Sequence, residues 1–156
     1  MSEPLPFRAV ATAPDGRPPG CAWNTPSLVV SKLEDSLAFY ARAFGFEASP
    51  GMRRDRAGRL VLAEVSHEGV PLITFTPAAR SIFDVSPPRV SNLTCPVIQY
   101  VYCRDVDQLT ARARAAGACI LSEPADQPWG DRVARIEDLD GYMWNFATYQ
   151  ARPVVC

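Results

Sequence analysis

Residue types that carry common catalytic chemistry are scarce in this chain. Its 156 residues include one histidine, His67, and one lysine, Lys32. The histidine falls in SHEG, a predicted turn between two strands, which is typical of a solvated residue. We therefore expect neither a Ser-His-Asp nor a Cys-His catalytic site. The phosphate-binding pattern GxxxxGK[ST] does not occur either.

Long apolar runs, signal sequences and paired cysteines are also missing. No run reaches the roughly 18 apolar residues that suggest a transmembrane helix, so we expect no membrane span. The N-terminus lacks a charged start followed by an apolar block, so no signal peptide is expected. The five cysteines include no CxxC pair, which favours a reducing compartment and predicts a cytoplasmic protein. A net charge of -1 gives no reason to expect a nucleic-acid or membrane partner.

An internal repeat organises the chain, with the second copy displaced by 72 residues. The segment EDSLAFYARAFGFEA resembles VDQLTARARAAGACI when Gly45 is aligned with Gly117. The same displacement aligns two further pairs of glycines: Gly58 with Gly130, and Gly69 with Gly141. This pattern predicts two copies of one supersecondary unit.

Each copy is predicted to form a strand, a helix and three further strands. In the first copy Leu37, Tyr40 and Phe44 recur at helical spacing on one apolar face, and Gly45 is suited to ending the helix. A hairpin closes each copy, built from RLVLAEV and VPLITFT around SHEG, and from RVARIE and YMWNFAT around DLDG. We therefore predict an α+β fold of two tandem βαβββ modules.

The composition, 47% hydrophobic and 21% charged, is typical of one globular domain with a core. We place this domain at residues 22–149, with module one at 22–76 and module two at 96–149. A linker rich in proline and serine, 77–95, joins the modules. The Pro/Gly-rich residues 1–21 are expected to form an extended N-terminal arm, and residues 150–156 a C-terminal tail.

The doubled order, with the segments SLAFYARAFGF and PWGDRVARIEDLDGYMWNF, resembles the vicinal oxygen chelate superfamily. That group includes glyoxalase I, the bleomycin-resistance proteins and the extradiol dioxygenases. The resemblance covers residues 22–149 and implies cupped mixed sheets that enclose a cavity, where the metal enzymes place two ligands from each module. PWG followed by DLDG is most similar to the bleomycin-resistance branch, whose members sequester flat aromatic antibiotics between two subunits.

The resemblance also carries the four metal-ligand positions of those enzymes onto this chain. They fall on Thr25, Ile73, Ile98 or Tyr100, and Asn145. The third is Ile98 in a glyoxalase-like register and Tyr100 in the register of a related subgroup. None of these residues supplies the imidazole or carboxylate that divalent ions prefer. We expect no metal and no other cofactor; the alternative is a rearranged metal site that uses Glu64 or Glu137.

A cavity without a metal is expected to be a ligand pocket with apolar walls and a few polar anchors. Alternation places Ile98, Tyr100 and Tyr102 on one strand face, which we expect to line the cavity. Glu64 and Arg132 are expected to face each other from opposite modules, with Glu64 either a general base or half of an inert ion pair. The predicted ligand-binding residues are Trp23, Thr25, Glu64, Phe75, Tyr100, Tyr102, Trp129, Arg132 and Asn145.

These features favour a homodimeric, metal-free protein of the bleomycin-resistance type. It is expected to bind a small aromatic or planar molecule and to confer resistance by sequestration. A glyoxalase-like lyase or isomerase, with a non-standard metal set or with Glu64 as its acid–base residue, is the second hypothesis. A purely structural or interaction domain is the third.

Overall fold

The computed structural model describes residues 24–81 and 84–150. Module one contains β1 (Ser27–Val30), α1 (Leu33–Phe44), β2 (Glu47–Ala48), β3 (Arg53–Arg54), β4 (Leu60–His67) and β5 (Val70–Pro77). The linker carries α2 (Pro88–Ser91). Module two contains β6 (Ile98–Tyr102), α3 (Val106–Ala115), β7 (Cys119–Asp126), β8 (Asp131–Glu137) and β9 (Met143–Tyr149). The predicted arm 1–21 and tail residues 151–156 lie outside the described ranges.

Each module folds its strands into one mixed sheet. The order is β1-β5-β4-β2 in module one, where β3 also pairs with β4, and β6-β9-β8-β7 in module two. In both sheets the first strand runs parallel to the last, and the other pairs are antiparallel. The α+β class and the two-module architecture predicted from the repeat are confirmed. In the described ranges, no helix is both long and apolar enough to cross a membrane.

One hydrophobic core is shared by both modules. Helices α1 and α3 pack against each other, and the buried core contains side chains from both sheets. The Tyr40 ring of α1 stacks on Phe75 of module one, with centroids 4.8 Å apart, and lies 5.6 Å from the ring of Trp144 in module two. The helix-facing sides of the two sheets therefore turn toward one core. The opposite side of each sheet points away from that core and is called its outer face below.

Two buried aspartates of the DLDG loop fasten module two to module one. Asp138 Oδ2 accepts hydrogen bonds from the Tyr40 hydroxyl at 2.7 Å and from the Trp144 indole at 2.8 Å. Asp140 accepts one from the Ser36 hydroxyl at 3.1 Å. Burial raises the pKa of Asp138, although these hydrogen bonds and two from the backbone oppose the rise. The acidic turn thus has a structural use at the junction of the modules.

The β4–β5 turn joins the modules at a second point. His67 Nε2 lies 3.0 Å from the carbonyl oxygen of Tyr102, so this nitrogen is the donor. Next to it, Arg104 forms an ion pair with Glu68 at 2.6 Å. The sequence predicted a solvated histidine, but the imidazole is half-buried and links the turn to β6.

The two hairpins differ in loop length. His67 pairs with Val70 across a two-residue turn, whereas Glu137 pairs with Met143 across a five-residue loop. The glycine of the first turn directly precedes its strand, but Gly141 stands two residues before β9. A displacement of 72 that aligns the two glycines therefore misaligns the strands that follow them by one residue.

This slip exchanges the two faces of a strand, because side chains alternate. Ile73 was expected at a cavity position, but it is buried in the core with 1% exposure. The residue that corresponds to Asn145 is Thr74, which pairs with Ser27 on β1 as Asn145 pairs with Tyr100 on β6. The expectation for Ile73 is wrong because the sequence alignment ignored the difference in loop length.

Candidate ligand-binding face

The outer face of module two is organised around one buried carboxylate, Asp131. This residue begins β8 and is 3% exposed. Its Oδ2 accepts hydrogen bonds from the Tyr100 hydroxyl at 2.7 Å, the Tyr102 hydroxyl at 3.0 Å and the Trp129 indole at 3.1 Å. The indole nitrogen also lies 3.3 Å from the Tyr100 hydroxyl. One carboxylate oxygen therefore orients three aromatic side chains.

These three rings form an exposed aromatic surface. Tyr100 is 42%, Tyr102 56% and Trp129 57% exposed. The tyrosine rings meet edge to face with centroids 5.6 Å apart. Desolvation, followed by the hydrogen bond to Asp131, raises the pKa of Tyr100; the hydrogen bond to Asp131 is the main cause of the raised pKa of Tyr102. Both hydroxyls therefore remain neutral donors at physiological pH, and the rings are held in place before any ligand arrives.

A cleft of about 240 Å³ adjoins Trp129 on the same face. It is lined by Ser122, Gln127, Trp129, Val133, Arg135 and Asn145. Arg135 Nε donates to Asn145 Oδ1 at 3.1 Å. The row Tyr100, Asn145, Arg135 crosses from β6 through β9 to β8. The cleft and the aromatic surface together offer apolar contact and a few polar groups, which is the usual make-up of a small-molecule site.

A second cleft, also about 240 Å³, lies between α2 and the β8–β9 loop. There Arg89 forms an ion pair with Glu137 and donates to the carbonyl oxygen of Leu139 at 2.8 Å. These charged groups already hold the linker against module two. The cleft beside Trp129 is therefore the better candidate for a ligand.

The structure brings four of the sequence-predicted site residues to this face: Tyr100, Tyr102, Trp129 and Asn145. Ile98 is exposed on the same side of β6. Thr25 precedes β1, away from these residues in sequence and in module. Trp23 lies outside the described ranges.

Phe75 was expected to be part of the cavity wall, and this is wrong. The side chain has 0% exposure and stacks on Tyr40 inside the core. Its position follows from the alternation of β5, which sends Phe75 and Ile73 to the same side.

The expected pair of Glu64 and Arg132 does not form. Glu64 lies on the outer face of module one, between the buried Ala63 and Val65, and its side chain has no hydrogen bond or ion pair with any described residue. Arg132 lies on the helix-facing side of module two, where it forms ion pairs with Asp107 at 2.7 Å and Asp126 at 3.0 Å.

The pairing failed because alternation does not continue along the whole of β4. Arg132 was aligned with Leu60, and Leu60 was assigned to the face of Glu64. Leu60 is in fact a core residue, since the pairing of β3 with β4 is irregular at this point. Arg132 correctly corresponds to a helix-facing position, and the error lay in assigning that position to the cavity.

Sequence reasoning missed Asp131, Val133 and Arg135. All three lie on the outer face of β8, opposite the core residues Ala134 and Ile136. The signal was present in the strand DRVARIE. Taking its small and aliphatic residues as the core set would have assigned the aspartate and the second arginine to the outer face.

The outer faces do not supply a donor set for a divalent ion. Across the two sheets the rows that correspond to the metal positions are Ser27, Thr74 and Glu64, and Tyr100, Asn145 and Arg135. They contain one carboxylate and one guanidinium, and the nearby Asp131 is already engaged with three donors. In the described part of the chain, no three His, Cys, Asp or Glu residues are grouped to hold a metal. The residues present therefore do not fit the metal site of the enzymes in the resembled group.

Comparison with known proteins places this fold among others. The sequence profile described as Glyoxalase/Bleomycin resistance protein/Dioxygenase superfamily matches residues 22–146. The uncharacterized protein Mb0911c of Mycobacterium bovis is 28% identical over 121 residues, 78% of this chain and 79% of its own. TioX from Micromonospora sp. ML1 is 25% identical with a TM-score of 0.62, covering 80% of this chain and 96% of its own. TnmS3, an antibiotic binding protein from Streptomyces sp. CB03234, is 22% identical with a TM-score of 0.57, covering 80% and 92%; this likeness shows the fold alone.

Proposed function

The chain belongs to the Glyoxalase/Bleomycin resistance protein/Dioxygenase superfamily, and we propose that it is a metal-independent binding protein for a small, flat aromatic molecule. One observation carries the proposal: a single carboxylate, Asp131, holds Tyr100, Tyr102 and Trp129 in fixed, exposed positions beside an open cleft. Exposed aromatic side chains that gather on one face are typical of a binding surface.

Stacking on Trp129 supplies much of the expected affinity. An offset-stacked ring pair contributes roughly 0.5–1.5 kcal/mol beyond the burial of its area. Because the indole already donates to Asp131, binding costs little side-chain entropy. The arrangement therefore favours a rigid planar ligand over a flexible one.

The chemistry of this face supports sequestration more than turnover. Asp131 is a poor proton acceptor, since its Oδ2 already receives three hydrogen bonds. Glu64, the acid–base candidate, lies on the outer face of the other module without a catalytic partner among the described residues. Sequestration also agrees with a fold on which TnmS3, described as an antibiotic binding protein, is built. Antibiotic resistance in the cytoplasm is the biological role that we propose.

We further propose that the protein is a homodimer. Because both helix-facing sides turn toward one core, a single chain leaves the aromatic surface open. A second copy related by two-fold symmetry would cover two equivalent surfaces at once. Light scattering should give the mass of two chains at micromolar concentration; the mass of one chain would refute the dimer but leave the binding proposal standing.

A thermal-shift screen tests the binding proposal. The screen should contain planar antibiotics, aromatic acids and 2-oxo aldehydes with glutathione. A ligand at 100 times its dissociation constant should stabilise the fold by about 2.7 kcal/mol. Trp129→Ala should abolish the shift, whereas Arg114→Ala, on the helix side of module two, should keep it. Equal shifts in the parent and Trp129→Ala would refute this site, and turnover of a 2-oxo aldehyde would support a lyase instead.

A further inference from the structure

We propose that the ligand carries an anionic group, such as a carboxylate, which Arg135 binds while the ring system lies over Val133 against Trp129. This inference rests on the proposed function and names the class of ligand: a flat aromatic anion. It follows from how the charges on the outer face of β8 are distributed and paired.

Arg135 is an exposed and unpaired cation in the cleft. Its Nε donates to the neutral side-chain amide of Asn145, and it forms no ion pair with a described aspartate or glutamate. Other arginines of module two differ, since Arg104, Arg114 and Arg132 each contact a carboxylate. The terminal nitrogens of the Arg135 guanidinium have no hydrogen bond to any described residue. They offer the planar fork that binds a carboxylate through two parallel hydrogen bonds.

The carboxylates of the same face are already engaged. Along β8 the outer-face residues are Asp131, Val133, Arg135 and Glu137. Asp131 is buried beneath three donors, and Glu137 forms an ion pair with Arg89. Within the described residues, a cationic ligand would find no free carboxylate on this strand, whereas an anionic ligand finds a free guanidinium. The face therefore selects for negative charge.

The spacing along β8 sets the size of the ligand. Val133 and Arg135 are two residues apart, which is roughly 6.7 Å along a strand. Trp129 lines the same cleft of about 240 Å³. A system of two fused rings placed over Val133 would stack on the indole at one end and direct an acid group at Arg135 from the other. Naphthalene derivatives are therefore suitable probes.

Three probes of one shape and different charge test the inference: 2-naphthoate, neutral 2-naphthamide and protonated 2-naphthylmethylamine. Dissociation constants would be measured by calorimetry at pH 7 on the full chain. We expect the acid to bind about tenfold more tightly than the amide, as one charge-assisted contact would give. Arg135→Gln should remove that advantage and leave the affinity for the amide unchanged. Arg135→Lys should keep part of it, and Arg114→Gln, on the helix side, should keep all of it.

The possible failures can be told apart. Amide or amine binding as tight as that of the acid, or an acid preference that survives in Arg135→Gln, would overturn the assignment of charge while leaving an aromatic site in place. Failure of all three probes to bind the parent protein would overturn the proposed aromatic site itself, and the anion with it.

Discussion

The Tyr100 hydroxyl lies 2.7 Å from Asp131 Oδ2, and this contact crosses an intervening strand. Because β9 lies between β6 and β8, the two backbones are separated by roughly 9.6 Å, two interstrand spacings. A tyrosine side chain is long enough to span most of this gap. Below the rings lies Ala147 of β9, which pairs with both Tyr102 and Val133 and is fully buried. A small residue on the central strand thus leaves space for the aromatic surface.

Replacement of Asp131 by alanine should release the three rings. The hydrogen bond to Asp131 is the main cause of the raised pKa of Tyr102, because loss of the hydroxyl proton would place a negative charge beside the carboxylate. We therefore expect the pKa of Tyr102 to fall toward its usual value of 10.0 in the variant. Ultraviolet titration of tyrosinate measures this change. Asp126→Ala, on the helix side of β8, is the control, and an unaltered titration in Asp131→Ala would contradict the network.

Stability should depend on pH through Asp138. Burial raises its pKa in the folded state above the usual value of 3.8, so the folded chain holds this proton more tightly than the unfolded chain. The resulting contribution to stability is complete below that value and is lost as the pH rises through the folded-state pKa. The free energy of unfolding of the parent minus that of Asp138→Asn should therefore fall with rising pH from about pH 4 and then level off. Urea denaturation at a series of pH values measures it, and a difference that widens with pH would refute the account.

Gly141 should be less tolerant of alanine than Gly69. Both have positive φ, +87° and +76°, so either substitution places a side chain in a strained conformation that costs roughly 1–2 kcal/mol. A Cβ on Gly141 would also lie 3.0 Å from the backbone nitrogen of Arg89, whereas nothing lies within 4 Å at Gly69. Gly141→Ala should lose at least about 1 kcal/mol more in the free energy of unfolding. Equal losses in the two variants would show that the linker yields without cost.

The purified protein should contain no stoichiometric divalent ion. The rows that correspond to the metal positions supply Glu64 as their one carboxylate, and Glu137 is paired with Arg89. Elemental analysis after mild purification checks this expectation. One tightly held zinc, nickel or iron per chain that disappears in Glu64→Gln or Glu137→Gln would contradict it.

The sequence predicted the modules well because each carries its own local signals. Helical spacing, glycines after the helices and the repeat are independent of tertiary contacts. Strand β6 could also be oriented, since Tyr100 and Tyr102 alternate with the buried Val101. These predictions used only patterns within one element.

The failures arose where a pattern was carried from one module to the other. Ile73 and Phe75 went to the wrong face because the first hairpin has the shorter loop. Leu60 was assigned to the face of Glu64 because the irregular pairing with β3 leaves no mark in the sequence. The role of Asp131 depends on three contacts made across the sheet and from the loop before β8, which alternation within one strand does not reveal.

The most direct test of the account is a nitrogen–proton NMR titration of the full chain with a hit from the aromatic screen, following the indole N–H resonances. Trp129 lies at the proposed site, whereas Trp144 is buried in the core with its indole bonded to Asp138 and serves as an internal reference. The account predicts a saturable shift of the Trp129 resonance, accompanied by the side-chain amide of Asn145, with Trp144 unchanged. Saturable binding that leaves the Trp129 resonance in place would contradict the claim that this outer face is the ligand site.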